Sequence, residues 1–136
     1  PHFEGTHLRA DMVARGGIRW SERNDDYRTE VLGLMNTQRI KNVVIVPNGA
    51  KGGFAIRHLP KDQKEIFATV ERCYREYIRA CLSVTDNRVG STIVHPDGLV
   101  IYDQPDPYFV VAADKGTAVM LLPREVLRDT IINCTG

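Results

Sequence analysis

Hydrophobic positions repeat with a helical period in two stretches of this chain and run together, strand-like, in several others. Around the pair Gly16-Gly17, residues 5–10 and 12–20 read as short extended segments. From Ser21 the pattern changes. Asn24 or Asp25 can cap a helix, and Tyr27, Val31, Leu34, Met35 and Gln38 then fall on one face, with the end expected near Lys41-Asn42. Val43-Val44-Ile45-Val46 follows as a β-branched run, predicted to be a strand buried on both faces. Asn48 to Gly53 is predicted to be a tight glycine turn. A second helix is expected to begin near Pro60, with Ile66, Phe67, Val70, Cys73, Tyr74, Tyr77, Ile78, Cys81 and Leu82 on its apolar face. Residues 86–97 read as a polar loop. Leu99 to Tyr102 and Tyr108 to Ala113 are strand candidates, and a last short helix is expected from Arg124 to Ile132.

Strands alternating with helices predict an α/β fold, a layered sheet with flanking helices. The expected organisation is one domain over residues 1–118 and a divergent tail over 119–136. The chain opens at Pro1 as though a strand were already in progress, which is what a fragment or a processed product would show.

Composition narrows the class. With 136 residues, 43% hydrophobic and 26% charged, this is an ordinary globular composition with enough chain for one real core. A net charge of +1 gives no general pull toward nucleic acid or an anionic membrane. No apolar run approaches the roughly 20 residues that span a bilayer. Cys73 and Cys81 sit eight residues apart on one expected helix, about 12 Å of rise, which is too far for a disulfide. Reduced cysteines and a cytoplasmic location are therefore expected.

Charge is uneven along the chain. Residues 1–57 carry nine cations against six acids, a balance suited to small anions or to solvated surface pairs. Two glycine doublets stand beside cations, Arg15-Gly16-Gly17 and Lys51-Gly52-Gly53, where glycine can let backbone approach a ligand closely. Taken alone, such pairs are more often turns beside solvated cations. No G-x-G-x-x-G or P-loop ending is present, the four histidines lack metal spacing, and there is no nucleophile elbow.

Longer blocks are more specific. Val13 to Ser21, Asp26 to Met35, Lys41 to Phe54, Thr85 to Asn87 and Asp106 to Ala118, in that order, closely resemble the large bacterial type of NAD-dependent glutamate dehydrogenase. The resemblance implies the α/β substrate-binding domain found across amino-acid dehydrogenases. It also implies a homo-oligomeric parent, and NAD held by a nucleotide domain that this chain does not contain. Lys51 matches the family's catalytic lysine and Asp114 its catalytic aspartate. Lys41 matches a lysine for the substrate α-carboxylate, and Arg15, before Gly16 and Gly17, stands where smaller relatives carry a lysine for the side-chain carboxylate.

The chemistry accounts for these residue types. Glutamate has two carboxylates, so its site needs two separated cations, and a guanidinium can grip one of them bidentately. Loss of hydride from Cα leaves an imine to which water must add. A lysine desolvated among glycines can serve as base on that water, and a nearby carboxylate can carry protons to the departing amine. The expected partners are L-glutamate and 2-oxoglutarate, with no nucleic acid and no membrane. Two alternatives belong to other classes. One is a catalytically silent fragment that binds dicarboxylates or partners. The other is a basic nucleic-acid module stacking on Trp20, which lacks both a motif and a charge excess.

Overall fold

A computed structural model of the chain describes residues 2–22, 26–41 and 48–113. Six strands and two helices follow one another as β1 (Phe3–Arg9), β2 (Ala14–Ser21), α1 (Tyr27–Lys41), β3 (Asn48–Ile56), α2 (Gln63–Leu82), β4 (Asn87–Val89), β5 (Thr92–Val94) and β6 (Val110–Ala113). Four of the strands form one sheet in the order β1-β3-β2-β6, while β4 and β5 form a separate hairpin. Within the sheet, β3 and β6 both run parallel to β2 on its two sides, and β1 closes the other edge antiparallel to β3. The expected α/β layering is present.

The two helices lie on opposite faces, and side-chain alternation along β3 shows which residues meet which. Phe54 and Ile56 join one apolar cluster with Ile18, Val70, Cys73, Tyr74, Tyr77, Ile78, Phe109 and Val111, which is the α2 side. The intervening residue Gly53 faces Val31 of α1 instead. On that side Arg19 reaches Glu30 at 3.1 Å, and Ser21 donates to Glu30 at 3.0 Å. The sheet is thus the middle of three layers, with its aromatic core on the α2 side.

Helix α2 follows its sequence pattern closely. Of the nine apolar positions, Val70, Cys73, Tyr74, Tyr77 and Ile78 are buried and Phe67 is exposed. The helix begins at Gln63, three residues after Pro60, because the Asp62 carboxylate accepts the Glu65 backbone N–H and makes Asp62 the cap. Tyr77 anchors the helix to the sheet: its hydroxyl donates to the Thr6 carbonyl at 2.8 Å, and its ring stands 5.9 Å from that of Phe54. In α1, Tyr27 and Val31 are buried as the spacing predicts, and the helix is described as far as Lys41. Cys73 is buried and Cys81 half-buried, and both are free.

Three expectations are corrected. Residues 48–53 are not a turn but the first part of β3, and their glycines do not adopt the positive φ that a turn would use. They are there because β3 is pressed between layers. A Cβ on Gly53 would come within 2.6 Å of Val31 Cγ2, and one on Gly52 would run into the Tyr77 hydroxyl and Ile18. Leu99 to Tyr102 forms no strand: Val100 is 77% and Tyr102 93% exposed, and neither has a ladder to join. Residues 86–97 hold the β4–β5 hairpin, turned by Gly90 at φ +62° followed by Ser91, a glycine-first hairpin turn. The predicted strand Val43–Val46, the helix cap at Asn24 or Asp25 and the predicted helix Arg124–Ile132 lie outside the described residues.

Candidate active site

The register of the sheet decides which of the sequence-predicted residues can act together. Lys51 pairs with Gly17 on β2 and with Leu8 on β1, and Gly17 pairs in turn with Ala112 on β6. Leu8, Lys51, Gly17 and Ala112 therefore form one row across the sheet, on the face that carries α1. Arg15 pairs with Gly49 and Val110, two residues back along the same face. Strand geometry puts the Arg15 and Lys51 Cα atoms roughly 8 Å apart. Lys51 is half-buried and Arg15 is exposed.

Lys51 lies inside β3, one strand away from β6, rather than on a turn after a buried strand. The two strands still point the same way, because both are parallel to β2. Gly16 stands apart from this group. It faces the α2 side in register with Ala50, and a Cβ there would fall on the Ala50 carbonyl group. Its structural demand is the close approach of β2 to β3. Lys41 is the last described residue of α1. Asp114 lies outside the described residues, the last residue of β6 being Ala113, paired with Ile18.

A second group of polar residues was not singled out for chemistry in the sequence. Arg9 donates to the Tyr108 carbonyl at 2.9 Å and meets the Asp106 carboxylate at 2.5 Å. Asp86 accepts the Asp106 backbone N–H at 2.7 Å and holds His95 Nδ1 at 2.7 Å. The Asp106 amide, and then His95, keep the Asp86 carboxyl below the usual carboxylate range. The available signal was that Thr85-Asp86-Asn87 and Asp106-Pro107-Tyr108 lie in the blocks of resemblance. Asp86 and His95 border an open cleft of about 480 Å³, lined also by Leu82, Asn87, Arg88 and Phe109 among others.

Under the sheet from Lys51, on the α2 side, His7 shares a row with Gly52 and Ile18. Its ring meets Phe109 edge-on at 5.5 Å, and its Nε2 has no hydrogen-bond partner among the described residues. Burial, helped by the Arg9 charge, pushes its pKa down to about 4, so the ring is neutral at physiological pH.

Residues 1–121 match the family described as bacterial NAD-glutamate dehydrogenase, catalytic domain. The chain belongs to that family. Proteins named NAD-specific glutamate dehydrogenase are 56% identical to it over 124 residues in Halomonas elongata and 55% identical over 120 residues in Pseudomonas aeruginosa. A third, from Mycobacterium tuberculosis, is 48% identical over 127 residues. Each comparison covers 87% of this chain but only 7% to 8% of the relative's length. The chain is a segment of the glutamate dehydrogenase catalytic region.

The strand-to-helix connection described throughout, β3 to α2, lacks the phosphate turn of a dinucleotide site. A dinucleotide site needs a glycine-rich turn from a strand into a helix N-terminus free to receive phosphate. The β3–α2 connection, Arg57 to Asp62, has no glycine, and the Asp62 carboxylate already occupies the start of α2. No cluster of three metal-ligating side chains exists among the described residues, and no helix there is long and apolar enough to cross a membrane.

Proposed function

We propose that this chain is the glutamate-binding part of an NAD-dependent glutamate dehydrogenase, which converts L-glutamate to 2-oxoglutarate and ammonia, and that it has the fold of amino-acid dehydrogenase substrate domains. NAD, the hydride acceptor named for the relatives, is held outside the described residues. The observation that supports this most is the row Lys51-Gly17-Ala112. The strand bearing the lysine and the strand whose sequence runs on to Asp114 flank β2 and point the same way.

In this reading Arg15 takes the substrate's side-chain carboxylate and Lys41 its α-carboxylate, the guanidinium gripping two oxygens at once. Gly17, in the row of Lys51, sets no side chain against the carbon chain, while Gly16 draws β2 and β3 together. Lys51 removes a proton from the water that adds to the substrate imine. Asp114 then delivers a proton to the nitrogen as ammonia departs.

Steady-state kinetics on the full-length enzyme test the assignment. Lys51→Ala should lower kcat by about a thousandfold or more, with an unchanged thermal midpoint, because a half-buried lysine beside glycine contributes little to the core. Asp114→Asn should cost kcat far more than glutamate affinity. A Lys51→Ala enzyme with more than about a tenth of wild-type kcat/KM would overturn the proposal.

A further inference from the structure

Among the described residues strand β6 covers Val110–Ala113 and pairs with β2. Residues 95–109 before it contain no helix or strand. Its register matters, because a slip of one residue on β2 would move every side chain to the other face.

Two groups grip the segment just ahead of it. From β1, at the far edge of the sheet, the Arg9 guanidinium reaches both the Tyr108 carbonyl (2.9 Å) and the Asp106 carboxylate (2.5 Å). Its register row crosses the small residues Ala50 and Gly16 on β3 and β2 before reaching Val111 on β6. From the end of α2, Asp86 binds Asp106 twice. Its carboxylate accepts the Asp106 N–H at 2.7 Å, and its own N–H donates to the Asp106 carbonyl at 3.2 Å. The second carboxylate oxygen of Asp86 holds His95. Asp106 lies between Pro105 and Pro107, whose fixed φ angles stiffen the segment being gripped. The Asp86 side chain is 7% exposed and that of Arg9 22%, so water competes weakly for either contact.

We infer that Asp86 and Arg9 are positioning residues for the dehydrogenase reaction: by clamping Asp106 from two sides they fix the register of β6 on β2, and so the row that sets Ala112 in line with Gly17 and Lys51. The inference rests on the roles proposed above for Lys51 and Asp114. Neither clamp residue touches substrate. A misplacement of about 1 Å at the reacting groups can cost on the order of a hundredfold in rate.

The test uses the full-length enzyme, with kcat, KM for glutamate, thermal midpoint and amide hydrogen exchange followed together. Asp86→Ala should lower kcat about 10- to 100-fold and leave KM within about twofold. It should also speed exchange at Val110 to Ala113 while the β3 amides stay as in wild type. Asp86→Asn should restore most of kcat, since its amide oxygen can still accept the Asp106 N–H. Should Asp86→Ala not fold, Arg9→Lys, which keeps the charge but loses the two-pronged grip, carries the same expectation.

Wild-type kcat and wild-type exchange at β6 in Asp86→Ala would overturn the inference. So would a loss of kcat accompanied by faster exchange throughout β3 and α2, which marks a general structural role. Lys51→Ala run alongside separates the two proposals. An active Lys51→Ala enzyme overturns the reading of the site, whereas an inactive one beside a fully active Asp86→Ala overturns the positioning role alone.

Discussion

The two faces of the central sheet are built from the same strands and have almost opposite character. On the α2 side β3 contributes Phe54 and Ile56, β2 contributes Ile18, and helix α2 covers them with Tyr74 and Tyr77. On the α1 side the same two strands present Lys51, Arg15, Arg19 and glycines, with the acid Glu30 above them. Residues 50 to 53 alternate between the two environments one position at a time. The lesson is a division of labour by parity. Even positions of β3 pack against α2, while of the odd positions Gly53 meets α1 and Lys51 carries charge.

The comparison breaks most severely at Gly16. It faces the α2 side, where a Cβ would fall on backbone that no rotamer change can move. Gly16→Ala should therefore cost about 3 kcal/mol or more and leave the chain largely unfolded by circular dichroism. A folded Gly16→Ala chain with a wild-type midpoint would show that β2 and β3 can separate cheaply.

A smaller effect separates the faces by pH. His7, on the α2 side, has its pKa pushed down to about 4. The unfolded chain binds a proton near pH 6.5, so its proton uptake exceeds that of the folded chain between those values. Stability from this residue is complete above about pH 6.5 and is lost as pH falls toward 4, to a total of about 3 kcal/mol. Denaturant titrations from pH 7 to 4 should show this slope, and His7→Phe should flatten it. An unchanged slope in His7→Phe would assign the acid sensitivity elsewhere.

The smallest effect tests the hydroxyl that ties α2 to β1. Tyr77→Phe retains the ring packed over Gly5 and Gly52 and removes the bond to the Thr6 carbonyl. It should destabilise by about 1 kcal/mol in chemical denaturation, with turnover of the full-length enzyme unaffected. A change in kcat in this variant would mean that the two faces are coupled.

How far the sequence could be read follows from the same division. The helices were legible because α2 has one apolar face against one sheet, and its period survives from Val70 to Ile78. Strand β3 was not, since Asn48 to Gly53 carries the composition of a turn. What selects glycine there is the thickness available between Val31 and Tyr77, residues far away in sequence. The hairpin β4–β5 was missed because its strands are exposed throughout and show no alternation, although Gly90-Ser91 was a usable signal. Leu99 to Tyr102 misled for the opposite reason: strand-forming residues make no strand without a partner to pair with. At the site, residue types came from family resemblance, while the grouping of Arg15 and Gly17 with Lys51, and the turning of Gly16 to the other face, came only from the register.

The chain has one tryptophan, Trp20, and it sits half-buried on the α2 side in register with Phe54, packed against the aromatic cluster. Intrinsic fluorescence therefore watches one face of this molecule and not the other. Its emission should follow the docking of α2 on the sheet, while events around Lys51 and Arg15 pass unseen unless they travel through the strand. That makes it a built-in optical control, able to tell damage to the scaffold from damage to the chemistry in a single cuvette.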